Sequence, residues 1–328
     1  AKPLGSLGVL EEDIVRAAAA QGEEVPDFSK RALLIFCADN GVVEEGVSQT
    51  GQEVTAAVVS NMTRGRSCSC LMAEKAETEV FPIDMGIACE VEHRGELHPL
   101  TERKIRRGTS NFTKAAAMTR QEVLTAILTG IDAVRVLKEQ GYRLSAVGEM
   151  GIGNTTTSSA VASVLLQKDP ELVTGAGAGL DSAGLKRKTE AIRRGIGLHH
   201  PDPMDGMEVL QKVGGFDLAA MAGAFLGGAI YHVPVVIDGV IAAAAAAAAG
   251  RIAPAATDYM LAAHVSAEPA SIWLLDLIGV TPAIQAGLRL GEGTGALALF
   301  PLLDMALSIY RDMDTFAEME IEEYKPLV

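Results

Sequence analysis

The chain contains the run Ala32-Leu33-Leu34-Ile35-Phe36-Cys37-Ala38, which is followed by Asp39-Asn40-Gly41. A continuous apolar run of this length is typical of a strand buried on both faces of a parallel sheet. Three further apolar runs end in the same way, at a carboxylate or a glycine: 80–83, 144–147 and 233–237. Segments 119–140 and 182–195 have the periodicity of amphipathic helices. This alternation predicts an α/β fold with a doubly wound parallel sheet.

Composition excludes several classes of protein. The 328 residues include 28 basic and 42 acidic side chains, a net charge of −14, and only 4 % are aromatic. A nucleic-acid-binding protein needs basic grooves and stacking rings, so this class is excluded. Cys68 and Cys70 have no second pair at zinc-site spacing, so we expect reduced thiols and no metal. The sequence offers no long charge-free apolar stretch and no signal peptide, so we expect a cytoplasmic protein without membrane contact.

The two ends of the chain differ from its middle. Residues 1–28 and 296–328 lack the strand pattern and have a helical one, with an acidic, solvated helix face from Asp312 to Glu323. We therefore predict a small helical domain, 1–29 with 296–328, beside a large α/β domain, 30–295. Eight consecutive alanines at 242–249 predict a tightly packed helix.

Three glycine-rich segments are candidates for the ligand site, which in such sheets lies beyond the carboxyl ends of the strands. They are 148–157, 175–179 with basic residues at 186–188, and 289–295. Exposed N–H groups of glycine-rich loops bind anions, and a lysine supplies positive charge. The simpler alternatives are an ordinary turn with a solvent-facing Glu292, helix caps at Asn154 and Thr155, and surface lysines.

The remaining motifs narrow the chemistry. The segment 148–157 has Thr156 where a dinucleotide fingerprint needs its third glycine, which argues against a nicotinamide cofactor. No nucleophile motif is present, and the adjacent His199 and His200 point apart. We therefore expect an enzyme that binds a phosphorylated small molecule and uses carboxylate acid–base chemistry, with no metal and no cofactor.

Taken together, the motifs resemble those of the nicotinate-nucleotide–dimethylbenzimidazole phosphoribosyltransferase family. The similar segments occur in order along nearly the whole chain: 2–8, 37–42, 61–65, 148–151 with 154–156, 212–217, 238–239, 264–268 and 289–295. The resemblance implies a Rossmann-like parallel sheet, a small helical domain from both chain ends, and a homodimer. It also implies that a helical segment of the family, preceding the motif at Lys2, lies outside this sequence.

The resemblance further implies an activity. Phosphoribose would pass from nicotinate mononucleotide to 5,6-dimethylbenzimidazole with inversion, giving nicotinate and α-ribazole 5′-phosphate for cobalamin biosynthesis. The motif L-G-E-G-[ST]-G places the family's general base on Glu292, and G-E-[LM]-G places a second catalytic carboxylate on Glu149. Glu149 either stabilises positive charge on the ribosyl carbon or holds the attacking base. Lys188 corresponds to the phosphate-binding lysine, and Thr50 to the base-site residue. The expected substrate-binding residues are Thr50, Asn154, Thr155, Gly177, Lys188, Asp238, Ser266, Gly291 and Gly293.

Two alternatives stay open at this point. A non-catalytic, nucleotide-binding paralogue could keep the same motifs, although such a protein has no need of a general base. A relative that activates phenolic or purine bases would share the catalytic residues and differ in the base pocket.

Overall fold

The computed structural model describes residues 1–92, 95–177 and 179–322, and within them seven parallel strands form one sheet. In chain order the strands are β1 (Arg31–Ala38), β2 (Thr78–Gly86), β3 (Thr101–Glu102), β4 (Leu144–Met150), β5 (Val235–Ile237), β6 (Met260–His264) and β7 (Pro282–Ile284). Their order across the sheet is β3-β2-β1-β4-β5-β6-β7. β2 and β3 are added on one side of β1 and the strands from β4 onward on the other, so the strand order reverses between β1 and β4, and a crevice beyond the carboxyl ends of the strands is expected there.

The four predicted strands are confirmed as β1, β2, β4 and β5. β1 pairs with β2 on one side and β4 on the other, and every one of its eight residues is buried. This position explains why its run is apolar without alternation. The strands β3, β6 and β7 were not predicted. β3 and β7 have only two and three residues, and β6, with five, ends at His264 rather than at the carboxylate or glycine that follows the predicted runs.

Twelve α-helices connect and cover the strands in the described part of the chain. They are α1 (Val9–Gln21), α2 (Glu53–Thr63), α3 (Cys68–Lys75), α4 (Arg120–Glu139), α5 (Asn154–Leu166), α6 (Pro170–Val173), α7 (Ser182–His199), α8 (Gly206–Val213), α9 (Phe216–Tyr231), α10 (Val240–Ile252), α11 (Ser271–Ile278) and α12 (Thr294–Asp312). The predicted helices 119–140 and 182–195 are α4 and α7. Thr119 begins α4 with a capping box that pairs it with Glu122.

The helices bury two apolar cores, one on each face of the sheet. The larger core contains α4, α5, α9 and α10, and all eight alanines of 242–249 are buried in it. Alanine side chains let α10 pack closely against α5, α9 and α11, as the sequence predicts. The second core joins Ile14 of α1, Leu33 and Ile35 of β1, and Phe300 of α12. The sheet is therefore covered on both faces, as the predicted doubly wound architecture requires.

The chain ends pack together through α1 and α12, which also contact β6. The division into domains 1–29 with 296–328 and 30–295 stays a prediction. The expectation of a helix through the acidic tail is wrong for residues 313–322, which form turns and loops after α12 ends at Asp312. Most of their side chains are exposed, so no apolar face is buried there to support a further helical turn. Glu323 lies outside the described residues.

Candidate active site

A cavity of about 210 Å³ opens at the carboxyl ends of β4, β5 and β6. It lies at the edge of the sheet where such folds bind ligands, and β4 joins it to the point where the strand order reverses. The structure brings most of the sequence-predicted site residues to this cavity. Those that line it are Glu149, Asn154, Thr155, Gly177, Asp238, Ser266, Gly291 and Glu292.

The other three predicted residues lie beside the cavity. Thr50 is exposed, and its neighbours Ser48 and Gln49 line an adjoining cavity of about 60 Å³. This smaller cavity shares Asn154 and Thr155 with the main one. Lys188 and Gly293 are buried directly behind lining residues, and their contacts are described below.

Glu292 lies in the loop between β7 and α12 and has an unusual backbone conformation. Its φ is +58°, between φ +89° at Gly291 and +79° at Gly293. A residue with a side chain adopts this left-handed region at a cost of about 1–2 kcal/mol, so surrounding contacts must hold it. One such contact is with β4: a Cβ on Gly148 would lie 2.6 Å from the carbonyl carbon of Glu292. The sequence-based alternative of an ordinary turn with a solvent-facing Glu292 is therefore wrong, because the loop packs on the sheet.

The Glu292 carboxylate has a partner that sequence reasoning missed. The Ser69 hydroxyl donates to Glu292 Oε2 over 2.9 Å, and the Ser69 backbone N–H lies 3.5 Å from the same oxygen. Ser69 is fully buried at the start of α3, where the Ser67 hydroxyl contacts its Oγ at 2.7 Å. Ser69 is 223 residues from Glu292 in sequence, so no local pattern could reveal the contact.

Asp238 follows β5 and binds the beginning of α12 rather than facing the cavity with free oxygens. It accepts hydrogen bonds from the backbone N–H groups of Gly293 at 3.2 Å, Gly295 at 2.6 Å and Ala296 at 3.1 Å. These N–H groups have no partner within the helix, and a carboxylate complements the helix dipole there. Burial raises the Asp238 pKa, and the nearby His264 opposes this effect. Asp238 therefore holds the loop that carries Glu292.

Glu149 is the second carboxyl group of the site and lies near the end of β4. Burial raises its pKa well above the usual range, and the negative charges of Asp217, Asp238 and Glu292 add to the effect. Burial and these neighbouring charges therefore favour the protonated form of Glu149. The Asn154 side-chain amide donates to Glu149 Oε2, so Asn154 does not cap α5; the cap position is Gly153, without a side-chain bond.

The loop at Gly291 approaches Glu149 so closely that only glycine fits. A Cβ on Gly291 would lie 2.6 Å from Glu149 Oε1, well inside van der Waals contact. This contact brings Glu149 of β4 next to the loop that carries Glu292. The two carboxyl groups differ in environment. Glu149 is buried and accepts from the Asn154 amide, whereas Glu292 is partly exposed and accepts from the Ser69 hydroxyl.

Positive charge reaches the opposite end of the site through Lys188 of α7. Its side chain is fully buried, and its ammonium group donates to Thr155 Oγ1 and to the Gly175 carbonyl, both over 3.0 Å. Burial lowers the Lys188 pKa to about 8, and the charge of Glu268 partly opposes this. The alternative of a solvated surface lysine is therefore wrong for Lys188.

The rest of the cavity lining is largely apolar. It includes Met150 at the end of β4, Ile152 just after it, Val240 and Ile241 of α10, and Leu290 beside Glu292. Apolar walls combined with placed polar groups are typical of sites for small organic ligands. His264 and Glu268 belong to the motif at 264–268, from which no role for either was predicted, and both line the cavity. In the described ranges no cluster of three or more His, Cys, Asp or Glu side chains is arranged to hold a metal, and no helix could cross a membrane.

Comparison with known proteins agrees with this arrangement. A phosphoribosyltransferase family model matches residues 1–321. The nicotinate-nucleotide–dimethylbenzimidazole phosphoribosyltransferase of Ruminiclostridium cellulolyticum is 45 % identical over 326 residues, covering 99 % of this chain and 92 % of that protein. The protein of the same name from Clostridium acetobutylicum is 44 % identical over 326 residues, again 99 % and 92 % of the two chains.

Solved structures lead to the same family. The crystal structure of CobT from Thermus thermophilus superimposes with a TM-score of 0.92 at 40 % identity, covering 98 % of this chain and 96 % of that chain. A crystal structure of nicotinate-nucleotide-dimethylbenzimidazole phosphoribosyltransferase from the same organism gives 0.90 at 39 % identity, with 98 % and 95 % covered. The chain therefore belongs to the nicotinate-nucleotide–dimethylbenzimidazole phosphoribosyltransferase family.

Proposed function

We propose that this enzyme transfers phosphoribose from nicotinate mononucleotide to 5,6-dimethylbenzimidazole with inversion at the anomeric carbon, and that Glu292 is the general base. The observation that carries the proposal is the Glu292 carboxylate, held by Ser69 at the rim of an apolar cavity that also contains Glu149. A carboxylate with a fixed orientation beside an aromatic-sized apolar space suits proton abstraction from a bound ring N–H.

The reaction needs one proton acceptor and no general acid. The bond between the anomeric carbon and the pyridinium nitrogen breaks, and its electron pair neutralises the positive ring as nicotinate leaves. One benzimidazole nitrogen forms the new bond to the anomeric carbon, while the proton on the other nitrogen passes to Glu292. General base catalysis of this kind contributes about 10²–10⁴-fold. Attack opposite to the leaving group requires the two rings to lie on opposite sides of one ribose. The walls of the cavity would hold the attacking nitrogen, the anomeric carbon and the leaving nitrogen in line.

The phosphate group of the mononucleotide would bind at the Lys188 end of the site. The buried Lys188 ammonium group and the Thr155 hydroxyl are two donors there, and the Gly177 N–H, which donates to Glu268 in this structure, is the third. Glu149 would lie between the phosphate and base subsites. Its raised pKa favours the protonated form, and the positive pyridinium ring of a bound substrate would favour the ionised form instead. An ionised Glu149 would then stabilise positive charge on the ribosyl carbon.

The test is a product assay with purified protein, nicotinate mononucleotide and dimethylbenzimidazole. We expect nicotinate and α-ribazole 5′-phosphate in equal amounts by mass-resolved chromatography. Glu292→Gln should lose at least about 100-fold in turnover while its circular dichroism is unchanged, because the amide accepts no proton at neutral pH. Glu139→Gln, at an exposed glutamate of α4 that pairs with Arg135, is the matched control and should keep full activity. Release of β-configured product would overturn the inversion, and an active Glu292→Gln variant would overturn the base.

The homodimer, the cytoplasmic location and the two-domain division are further proposals; the first rests on the family resemblance, the second on the sequence pattern, and the third on both. Sedimentation velocity of the purified chain tests the first, with a single species of twice the monomer mass as the expected result. Limited proteolysis tests the division, because cleavage in the exposed segments 22–25 and 285–287, beside the two boundaries, is expected before cleavage within the sheet.

A further inference from the structure

The Glu268 carboxylate occupies the glycine loop at Gly175–Gly177. Glu268 belongs to the segment between β6 and α11, and its Oε1 accepts a hydrogen bond from the Gly177 N–H at 3.2 Å. A Cβ on Gly175 would overlap with Glu268 Oε2, so glycine at this position leaves the space that the carboxylate fills. The sequence motif that includes Glu268 gave it no role.

The groups around this carboxylate form a site for an anion. A Cβ on Gly177 would lie 2.8 Å from Thr155 Oγ1 and 3.3 Å from Lys188 Nζ, so the hydroxyl and the ammonium group both lie beside the glycine whose N–H contacts Glu268. Lys188 is buried, and the negative charge of Glu268 supports its charged form. In this structure the Glu268 carboxylate accepts a hydrogen bond from the Gly177 N–H and lies close enough to Lys188 for its charge to raise the Lys188 pKa.

A phosphate group cannot share this position with the Glu268 carboxylate. Both would accept from the Gly177 N–H, and two like charges at contact distance in a partly buried site repel each other strongly. Glu268 is only partly buried, so rotation of its side chain toward solvent removes the carboxylate without movement of the sheet.

We propose that Glu268 is an exchangeable internal anion, which occupies the phosphate subsite in the free enzyme and leaves when the substrate phosphate binds. The position of the phosphate subsite in this inference rests on the proposed function. Glu268 then sets the affinity for the phosphate group alone and has no effect on the ribose or the base. It also keeps the buried Lys188 compensated while the site is empty.

The experiment is calorimetric titration of the full chain with inorganic phosphate, nicotinate mononucleotide and nicotinate riboside. The proteins are the wild type, Glu268→Gln and Glu268→Ala, and pH 6.5 keeps Lys188 charged. Both variants should bind phosphate and the mononucleotide roughly tenfold more tightly, since the ligand no longer displaces a charge-assisted hydrogen bond. Riboside affinity should not change. Glu171→Gln, an exposed glutamate at the start of α6, is the control with the same charge change.

Three results would overturn the inference. The Glu268 carboxylate and the phosphate do not compete for one position if phosphate binding is unchanged or weaker in both variants. The same conclusion follows if none of the proteins binds phosphate. Weaker binding of the riboside shows instead that the carboxylate contacts ribose hydroxyls. A failure of the proposed function is distinguishable, because the wild type would then release no nicotinate with any base while the variants still bind inorganic phosphate more tightly.

Discussion

Ser69→Ala tests whether the hydroxyl that contacts Glu292 serves the reaction. The substitution removes one oxygen from a fully buried side chain and leaves Glu292 Oε2 with only the Ser69 N–H at 3.5 Å. A hydrogen bond to a charged group contributes about 1.5–3 kcal/mol. We take the lower end because Glu292 is partly exposed and water replaces part of the bond. The expected loss in kcat/KM is therefore about tenfold.

The assay is single-turnover release of nicotinate in a double-mutant cycle with Glu292→Gln. If Ser69 acts by orienting the carboxylate, then Ser69→Ala has no further effect in the Glu292→Gln background, because the base that it positions is absent. Ser163→Ala is the matched control, since that serine is also buried and its hydroxyl donates to the Lys168 carbonyl over 2.6 Å. We expect Ser163→Ala to keep wild-type kcat/KM.

Additive losses in the cycle would refute this reasoning. A tenfold further decrease of Ser69→Ala in the Glu292→Gln background would mean that Ser69 supports the fold of the site rather than the base. An equal decrease in Ser163→Ala would mean that loss of any buried hydroxyl reduces activity. Thermal unfolding of all four proteins separates a loss of stability from a loss of orientation.

Two further predictions concern pH. Burial lowers the Lys188 pKa to about 8, so the ammonium group loses its proton above that pH. The KM for nicotinate mononucleotide, measured by initial rates, should therefore rise about tenfold per pH unit above pH 8. A KM that stays constant up to about pH 10 would contradict the role of Lys188. Burial raises the Asp217 pKa to about 7 from an ordinary value near 3.8. The folded state therefore binds this proton more tightly than the unfolded state does, and the free energy of unfolding decreases as pH rises from about 4 to 7. Asp217→Asn should therefore raise the free energy of unfolding, measured by urea denaturation, by about 2–4 kcal/mol at pH 8 and by little near pH 4. An equal effect at both pH values would show that the gain does not come from the ionisation of Asp217.

The site could be predicted in large part because its residues occur in short local motifs. Glu149 follows the apolar run of β4, and Glu292 stands between two glycines just before α12. In a parallel sheet the carboxyl ends of strands meet at one edge, so both were expected at the same crevice. Thr50 was carried over from a motif alone, and the structure leaves it exposed beside the smaller cavity.

The sequence by itself determined the α/β class, four of the strands, the long helices and the acidic character of the protein, because periodicity and composition are local properties. Only the tertiary structure decided which contacts position the residues of the site. Ser69 contacts Glu292, Asp238 binds the start of α12, and Glu268 fills the glycine loop near Lys188. Each of these contacts joins segments at least 55 residues apart, and each depends on burial that no single segment encodes. The raised pKa of Glu149 has the same origin, since it arises from burial and from the carboxylates that the fold gathers around it.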